Sequence, residues 1–257
     1  MAFGIAGLAL LFFLTAVLYA SVGFGGGSTY IALLTLADID YRTLPIIALV
    51  CNIIVVMGGS LRFHARGLID WLRIWPILLL SVPAAWAGGR LVIDRDSFLI
   101  LLGISLVVAG LLLLAEPLYR NRQAASHSTQ TQQIWFAPTA GGAIGFISGM
   151  VGIGGGIFLA PLLFLTNWSD SRRIAATASI FILVNSISGL VGQLMKSQWE
   201  QGGGIILSYW PLFVAVLIGG QIGSFLASKI LPEQWIQRLT ALLILYVAIR
   251  ILWQQFG

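Results

Sequence analysis

Long stretches without a charged residue dominate the pattern of this chain, and short polar segments separate them. The first charge is Asp38, and a second uncharged block runs over Gln123–Ser169. A helix that crosses the ~30 Å hydrocarbon core of a bilayer needs about 20 apolar residues. The pattern predicts ten apolar helical segments: Ala2–Val22, Ser28–Ala37, Thr43–Leu61, Ile74–Gly89, Ser97–Ala115, Ile134–Val151, Ile157–Trp168, Ile174–Met195, Gly204–Ser228 and Trp235–Trp253.

Two of these segments are too short to cross a bilayer, and each follows a cluster of glycines. Ser28–Ala37 rises only about 15 Å at 1.5 Å per residue. It follows Gly23-Phe24-Gly25-Gly26-Gly27, and Ile157–Trp168 follows Gly152-Ile153-Gly154-Gly155-Gly156. Glycine costs about 0.5–1 kcal/mol per residue inside a helix, so each cluster predicts a helix break within the apolar layer.

The two halves of the chain match beyond the glycine clusters. Asn52 pairs with Asn185, Gly59 with Gly192, and the Trp-Pro step at Trp75 recurs at Trp210. The pattern therefore indicates a duplication, with a first membrane repeat at 1–116, a polar cytoplasmic connector at 117–133 and a second membrane repeat at 134–257. The predicted fold is an all-α polytopic membrane protein of two five-segment repeats, with eight full spans and two short arms.

The direction of the second repeat depends on whether each glycine-broken pair crosses the membrane once or enters and returns. One crossing per pair gives parallel repeats and divides the 14 Lys and Arg residues evenly between the faces. In-and-back pairs give inverted repeats and place nine cations on one face against five on the other. An excess of Lys and Arg marks the cytoplasmic side. The charges therefore favour inverted repeats with both termini outside.

Composition supports the membrane assignment. The chain is 58% hydrophobic and 9% charged, with a mean hydropathy of +0.96, whereas soluble domains are about 25% charged. The net charge of +5 lies in the loops, and no basic run interleaved with aromatics indicates binding to nucleic acid. Cys51 is the only cysteine, which excludes an intrachain disulfide.

The glycine breaks are the candidate site, with the lipid bilayer around it and a small anion as the expected ligand. Each break starts a new helix, whose N-terminal amides and positive dipole end attract anions. The candidate residues are Gly25, Gly26, Gly27, Ser28 and Thr29 in the first break and Gly154, Gly155 and Gly156 in the second. Ser28 is a natural N-cap, and Ile157 occupies its place in the second copy, so we expect unequal sites. The alternative is that the glycines only allow helices to pack closely.

Asn52 and Asn185 complete the candidate site, since each lies at the centre of its predicted span. Either they donate hydrogen bonds to a bound anion, or they tie helices together and satisfy the broken backbone. No ionisable residue lies in the middle of any span, which argues against an enzyme and against a proton relay of side chains. Any coupling to protons is expected to travel on the substrate or through Asp38 and Asp40.

At these residues the chain resembles the sulfite exporter TauE/SafE family, also called the toluene sulfonate uptake permease family. The resemblance covers essentially the whole chain and rests on Val22–Gly27, its echo Gly149–Gly156 and the asparagine in the third span of each half. It implies a multi-pass protein of a prokaryotic plasma (inner) membrane that moves sulfite, thiosulfate or organosulfonates. We therefore expect a secondary transporter without a cofactor, which exports such an anion by alternating access as one half rocks against the other. An anion channel and a non-transporting membrane subunit are the alternatives.

Overall fold

The fold is described from a computed structural model of residues 4–123, 133–166, 168–196, 204, 208–225 and 233–256. Over these ranges the secondary structure is helical and contains no strand. The described residues form ten α-helices: α1 Ile5–Val22, α2 Gly27–Leu36, α3 Leu44–Ala65, α4 Trp71–Arg90, α5 Arg95–Gln123, α6 Gln133–Val151, α7 Gly156–Leu165, α8 Ser171–Leu194, α9 Trp210–Phe225 and α10 Glu233–Phe256. The all-α prediction is confirmed.

Four of these helices are long and apolar enough to cross a membrane by length and composition. They are Leu44–Ala65, Trp71–Arg90, Arg95–Ala115 and Arg172–Leu194. Helix α5 continues to Gln123, so it extends into the segment for which the sequence predicts a polar connector. The rest of that connector before α6, and parts of the predicted span Gly204–Ser228, lie outside the described residues.

The main packing contact between two helices recurs between their counterparts in the other half of the chain. Helix α4 packs on α6, and its counterpart α9 packs on α1. The same holds for α4 with α8 and α9 with α3, and for α5 with α7 and α10 with α2. Helices α3 and α8, and likewise α5 and α10, pack on their own counterparts. The duplication seen in the sequence is therefore also present in the packing.

Helix α1 runs in the same direction as α9. A Cβ at Gly219 would lie 2.5 Å from the carbonyl oxygen of Phe13, and one at Gly223 would meet that of Val17. Contacts that advance together along two helices mean that the helices are parallel.

Helix α3 also runs parallel to α9. Gly220 lies against Val55, and further along both helices Arg62 donates a hydrogen bond to Ser224. Helices α1 and α3 therefore share one direction, and α2, which connects them, must return. The first glycine-broken pair therefore doubles back instead of continuing in one direction.

Corresponding helices α3 and α8 run in opposite directions. Leu49, near the start of α3, contacts Gly189, near the end of α8. The hydroxyl of Ser60, near the end of α3, is 2.8 Å from that of Ser179, near the start of α8. Buried hydroxyls usually pair in this way because an unpaired polar group is costly in an apolar layer.

Glycines let α4 and α6 approach each other at backbone distance. A Cβ at Gly145 would lie 2.5 Å from the carbonyl oxygen of Ser81, whereas one at Gly142 would lie at an ordinary 3.5 Å from Leu80. Both glycines lie inside α6. The first is thus required by packing and the second is not.

We therefore expect Gly145→Ala to lower the free energy of unfolding by about 1–3 kcal/mol, because the added methyl forces the two backbones apart. Gly142→Ala is the matched control and should leave stability unchanged or raise it slightly, since alanine favours the helix. Unfolding of the detergent-purified variants by heat and denaturant measures both. Equal effects of the two substitutions would contradict the packing argument.

Candidate functional site

The first helix break is shaped by two glycines with left-handed backbone. Gly23 ends α1 with φ of 84°, and Gly26 precedes α2 with φ of 83°. The Gly23 N–H donates to the carbonyl oxygen of Ala20, and the Phe24 N–H donates to that of Tyr19. This is the Schellman arrangement, which satisfies carbonyls at a helix end and needs a residue that tolerates positive φ.

The second break repeats the plan with one difference. Gly152 and Gly155 have φ of 91° and 77°, as their counterparts in the first break lead one to expect. Gly154 also has positive φ, at 84°, whereas its counterpart Gly25 does not. The two loops therefore turn by different routes, although their glycines are spaced identically.

The N-termini of α2 and α7 are not capped by any side chain. Gly26 and Gly155 stand at the cap positions, so the prediction that Ser28 caps α2 is wrong. The helix begins earlier because Gly26 takes the left-handed conformation and Gly27 already has helical geometry. Ser28 is the second helical residue and is buried. The first amides of both helices thus have no intrahelical and no side-chain acceptor.

Thr29 is also buried, and its hydroxyl lies 2.8 Å from that of Tyr19 on α1. The side chain of Tyr19 also lies against Gly26, where an added Cβ would be 3.3 Å from its ring. The hydroxyl of Thr29 is thus part of a bond that ties α2 back to α1.

The two breaks meet on the side chain of Asn52. Its Nδ2 donates to the carbonyl oxygen of Ile153 in the second break, at 3.1 Å. A Cβ at Gly25 would lie 2.6 Å from its Oδ1, and a Cβ at Gly27 or Gly154 would lie 2.5 or 2.6 Å from its Nδ2. One fully buried amide thus contacts both loops.

The tips of the two loops pass each other along α3. Gly23 lies against Phe63, toward the end of α3, whereas Gly152 lies against Pro45 at its start. The segments around Asn52 therefore overlap, with Ile182 of α8 packed against both Gly25 and Gly154. The side chain of Ile182 also fills the space beside Gly156.

Asn185 makes a different bond from its counterpart. Its Nδ2 donates to the carbonyl oxygen of Phe181, one turn back in the same helix, at 2.9 Å. Both asparagine NH₂ groups are thus engaged by carbonyls of the protein. The acceptor oxygen Oδ1 of each amide has no hydrogen-bond partner, and both oxygens are buried. The bond to the Ile153 carbonyl is the backbone-satisfying role expected for Asn52, and its role as an anion donor stays a prediction.

Two serines near the second break were not predicted from the sequence. A Cβ at Gly154 would lie 3.1 Å from the hydroxyl of Ser186, and Ser148 lies against Gly155. Both hydroxyls are buried without a hydrogen-bond partner in the described structure. Isolated serines in apolar helices give no periodic signal, although the position of Ser186 directly after Asn185 was a hint.

Two glutamines, Gln193 and Gln221, also form hydrogen bonds toward the ends of helices. Gln193 donates to the carbonyl oxygens of Gly149 and Met150, which caps the end of α6, and accepts from Lys196 at 2.7 Å. Burial lowers the pKa of Lys196 to about 8. Gln221 accepts from Arg62 at 3.1 Å, which links α9 to α3.

Asp38 and Asp40 lie in the exposed turn after α2, away from the breaks. Asp38 has a positive φ of 54°, and a carboxylate oxygen of Asp40 accepts from the backbone N–H of Arg42. The whole of α2 separates these carboxylates from Asn52.

Broken helix pairs buried among apolar spans define this chain as a polytopic helical membrane protein. The profile of the family described as Sulfite exporter TauE/SafE matches residues 8–251. The chain belongs to the TauE/SafE sulfite exporter family.

Several similar proteins are named as membrane transporters, and the match covers most of each chain. The chain is 32% identical to the probable membrane transporter protein y4hK of Sinorhizobium fredii, over 96% of this chain and 98% of that one. It is 27% identical to a probable membrane transporter protein of Xylella fastidiosa, over 91% and 90% of the two chains. It is 20% identical to the probable membrane transporter protein YunE of Bacillus subtilis, over 87% and 89%. No solved structure matches the chain.

The unequal bonds of the two asparagines give a stability prediction. Asn52→Ala leaves the loop carbonyl of Ile153 without its partner, which costs about 1–3 kcal/mol beyond the loss of packing. Asn185→Ala removes the same atoms, but the carbonyl of Phe181 sits within a helix that supplies its own donors. Asn52→Ala should therefore destabilise the protein more. Denaturant unfolding of the two purified variants checks this, and a larger effect of Asn185→Ala would refute it.

Proposed function

We propose that this protein is a secondary transporter that exports a small sulfur-containing anion, such as sulfite, thiosulfate or an organosulfonate, by alternating access. The observation that carries the proposal is the meeting of two broken helices whose N-termini no side chain caps. Paired Gly-interrupted segments in corresponding places of two halves are typical of transporter binding sites. Membership of a sulfite exporter family supports the substrate class.

The anion would be held by main-chain amides rather than by charged side chains. Gly25, Gly26 and Gly27 carry amides at the start of α2, and Gly154, Gly155 and Gly156 carry them at the start of α7. Each helix end contributes about half a positive charge. Two such ends on opposite sides of Asn52 attract one small anion without placing a permanent charge in the bilayer.

The membrane arrangement that we propose is a pair of inverted repeats with eight full spans and two short arms. Opposite directions of α3 and α8 support it, because corresponding helices of inverted repeats are antiparallel. The positive-inside rule then places both termini outside and the connector in the cytoplasm of a prokaryotic cell, in its inner membrane.

The rigid units that move in the proposed transport cycle differ from the two repeats of the sequence. Helices α4 and α6 belong to different repeats but touch at backbone distance, and so do α1 and α9. Separating such pairs would break their closest packing, so each pair moves as one body. Alternating access then changes the contacts between these bodies around the breaks, rather than pulling one half away from the other.

Two other functions are distinguished by measurement. An anion channel has the same half-helix site but gives single-channel currents and flux that does not saturate. A non-transporting membrane subunit co-purifies with a stoichiometric partner chain. Saturable counterflow of sulfite in proteoliposomes of the purified protein supports the transporter against both.

The glycine breaks provide the mutational test. Gly26→Leu and Gly155→Leu should abolish transport, because both positions need positive φ and adjoin packed side chains. Membrane insertion should stay intact, since leucine is apolar. Gly67→Leu is the matched control, with φ of 64° and open space around it. Normal transport by both break variants would refute the site.

The substrate is tested with a thermal-shift panel of sulfite, sulfate, thiosulfate, sulfonates and carboxylates on detergent-purified protein. A ligand that binds only the folded state raises the melting temperature with concentration. We expect sulfite or a related sulfur anion to raise it selectively, and to lose this effect in Gly26→Leu. A shift caused only by carboxylates would refute the substrate class.

A further inference from the structure

Buried oxygens without hydrogen-bond partners collect around the second helix break. They are Oδ1 of Asn52, Oδ1 of Asn185 and the hydroxyl oxygens of Ser186 and Ser148. All four residues are completely buried, with no measurable exposure. Native proteins rarely leave buried polar atoms unsatisfied, and each exception calls for an explanation such as a ligand.

Three of the four side chains touch glycines of the second break, and the Oδ1 of Asn52 lies on the side of Gly25 in the first break. Ser186 and Asn52 both lie against Gly154, and Ser148 lies against Gly155. Asn185 directly precedes Ser186 and lies one turn after Ile182, which itself packs on Gly154. Residues three and four apart share a helix face, so this part of α8 faces the break.

The chemistry of these atoms calls for a positive partner rather than a negative one. An amide Oδ1 is an acceptor only, and each asparagine NH₂ already donates one hydrogen bond to a protein carbonyl. Helices α1 and α6 also end at the breaks, and a helix C-terminus carries about half a negative charge. An anion can accept hydrogen bonds from the two serine hydroxyls, but it leaves both amide oxygens unsatisfied.

We propose that the site binds a small monovalent cation, Na⁺, beside the transported anion, with Asn52 Oδ1, Asn185 Oδ1 and the Ser186 hydroxyl as side-chain ligands. The proposal rests on the proposed function, in which the anion occupies the N-terminal ends of α2 and α7. Neutral oxygens suit a hard cation, and in transporters the carbonyl ends of broken helices coordinate the coupling ion.

Two features favour a metal cation over a proton. No Asp, Glu or His lies in α1 to α3 before His64 or in the described residues of α6 to α8, apart from the exposed Asp38 and Asp40 after α2 and the exposed Asp170 that caps α8. A proton thus has no carboxylate or imidazole at the breaks to bind. A cation also neutralises the buried anion, which lowers the cost of removing it from water.

The two breaks differ in a way that places the cation at the second one. In the first break the counterpart of Ser148 is Tyr19, whose hydroxyl is already bonded to that of Thr29. The hydroxyls of Tyr19 and Thr29 thus already bond to each other, whereas those of Ser148 and Ser186 beside the second break have no partner in the described structure.

The test is a titration of detergent-purified protein with NaCl against KCl and choline chloride at equal ionic strength, without added sulfur anion. Sodium should raise the melting temperature saturably and more than potassium or choline. Ser186→Ala should weaken this sodium effect at least about tenfold, as losses around metal sites typically do. In the absence of sodium, Ser186→Ala should have the melting temperature of the natural protein, because the Ser186 hydroxyl has no protein partner.

Ser81→Ala is the matched control. Its hydroxyl is equally buried and unpartnered. Ser81 lies on α4, where its backbone packs against Gly145 rather than against a glycine of either break. The sodium response of this variant should equal that of the natural protein. A second variant, Asn185→Asp, should tighten sodium binding because it replaces an amide oxygen by a charged one.

The outcomes separate this proposal from the transport function. Identical melting curves in sodium, potassium and choline overturn the cation site, even where sulfite still shifts the melting temperature. An equal loss of the sodium effect in Ser81→Ala and Ser186→Ala also overturns it. A sodium shift that depends on Ser186, with no response to any sulfur anion, supports the cation site and counts against the anion substrate.

Discussion

The bond from Asn52 to the carbonyl oxygen of Ile153 is the interaction on which the site depends. Backbone that leaves a helix within an apolar layer must find partners for its polar groups, since lipid offers none. Asn52 supplies one of those partners from α3, and it does so across the boundary between the two repeats. Because the same amide touches Gly25 and Gly27, it holds the two broken helices in one place.

Glycine makes this arrangement possible in two physically separate ways. At Gly23, Gly26, Gly152 and Gly155 it supplies the left-handed backbone that ends one helix and starts the next. At Gly27 the backbone is ordinary, and what matters is the missing side chain, since a Cβ there would overlap the carbonyl of Ile153. One cluster of identical residues thus provides both turns and close approach.

The sequence was sufficient to predict the all-helical fold and the two glycine breaks, because each has a strong local signal. Apolar segments of about 20 residues and glycine clusters inside them are read directly from the chain. The in-and-back path of the first pair was favoured by counting loop charges, and the shared direction of α1 and α3 agrees with it.

The sequence could not predict which side chain forms a hydrogen bond to the opposite break. Matching positions made Asn52 and Asn185 equivalent, yet only Asn52 bonds to the opposite loop. Ser186 and Ser148 were missed because nothing in an apolar helix distinguishes a serine that faces a break from one that faces a neighbour. The cap of α2 was misplaced by two residues because Gly26 takes the role that serine more often fills.

Duplication followed by divergence explains why a symmetric fold has an asymmetric centre. Two-fold packing requires α3 and α8 to cross at the middle, and there each helix contributes one asparagine. Of these two amides, Asn52 bonds to the opposite break and Asn185 turns back to Phe181. The hydroxyls also differ: Tyr19 and Thr29 bond to each other at the first break, while Ser148 and Ser186 at the second have no partner in the described structure. A site whose two sides differ in this way can hold two ions of opposite charge in fixed places, which two identical sides could not do.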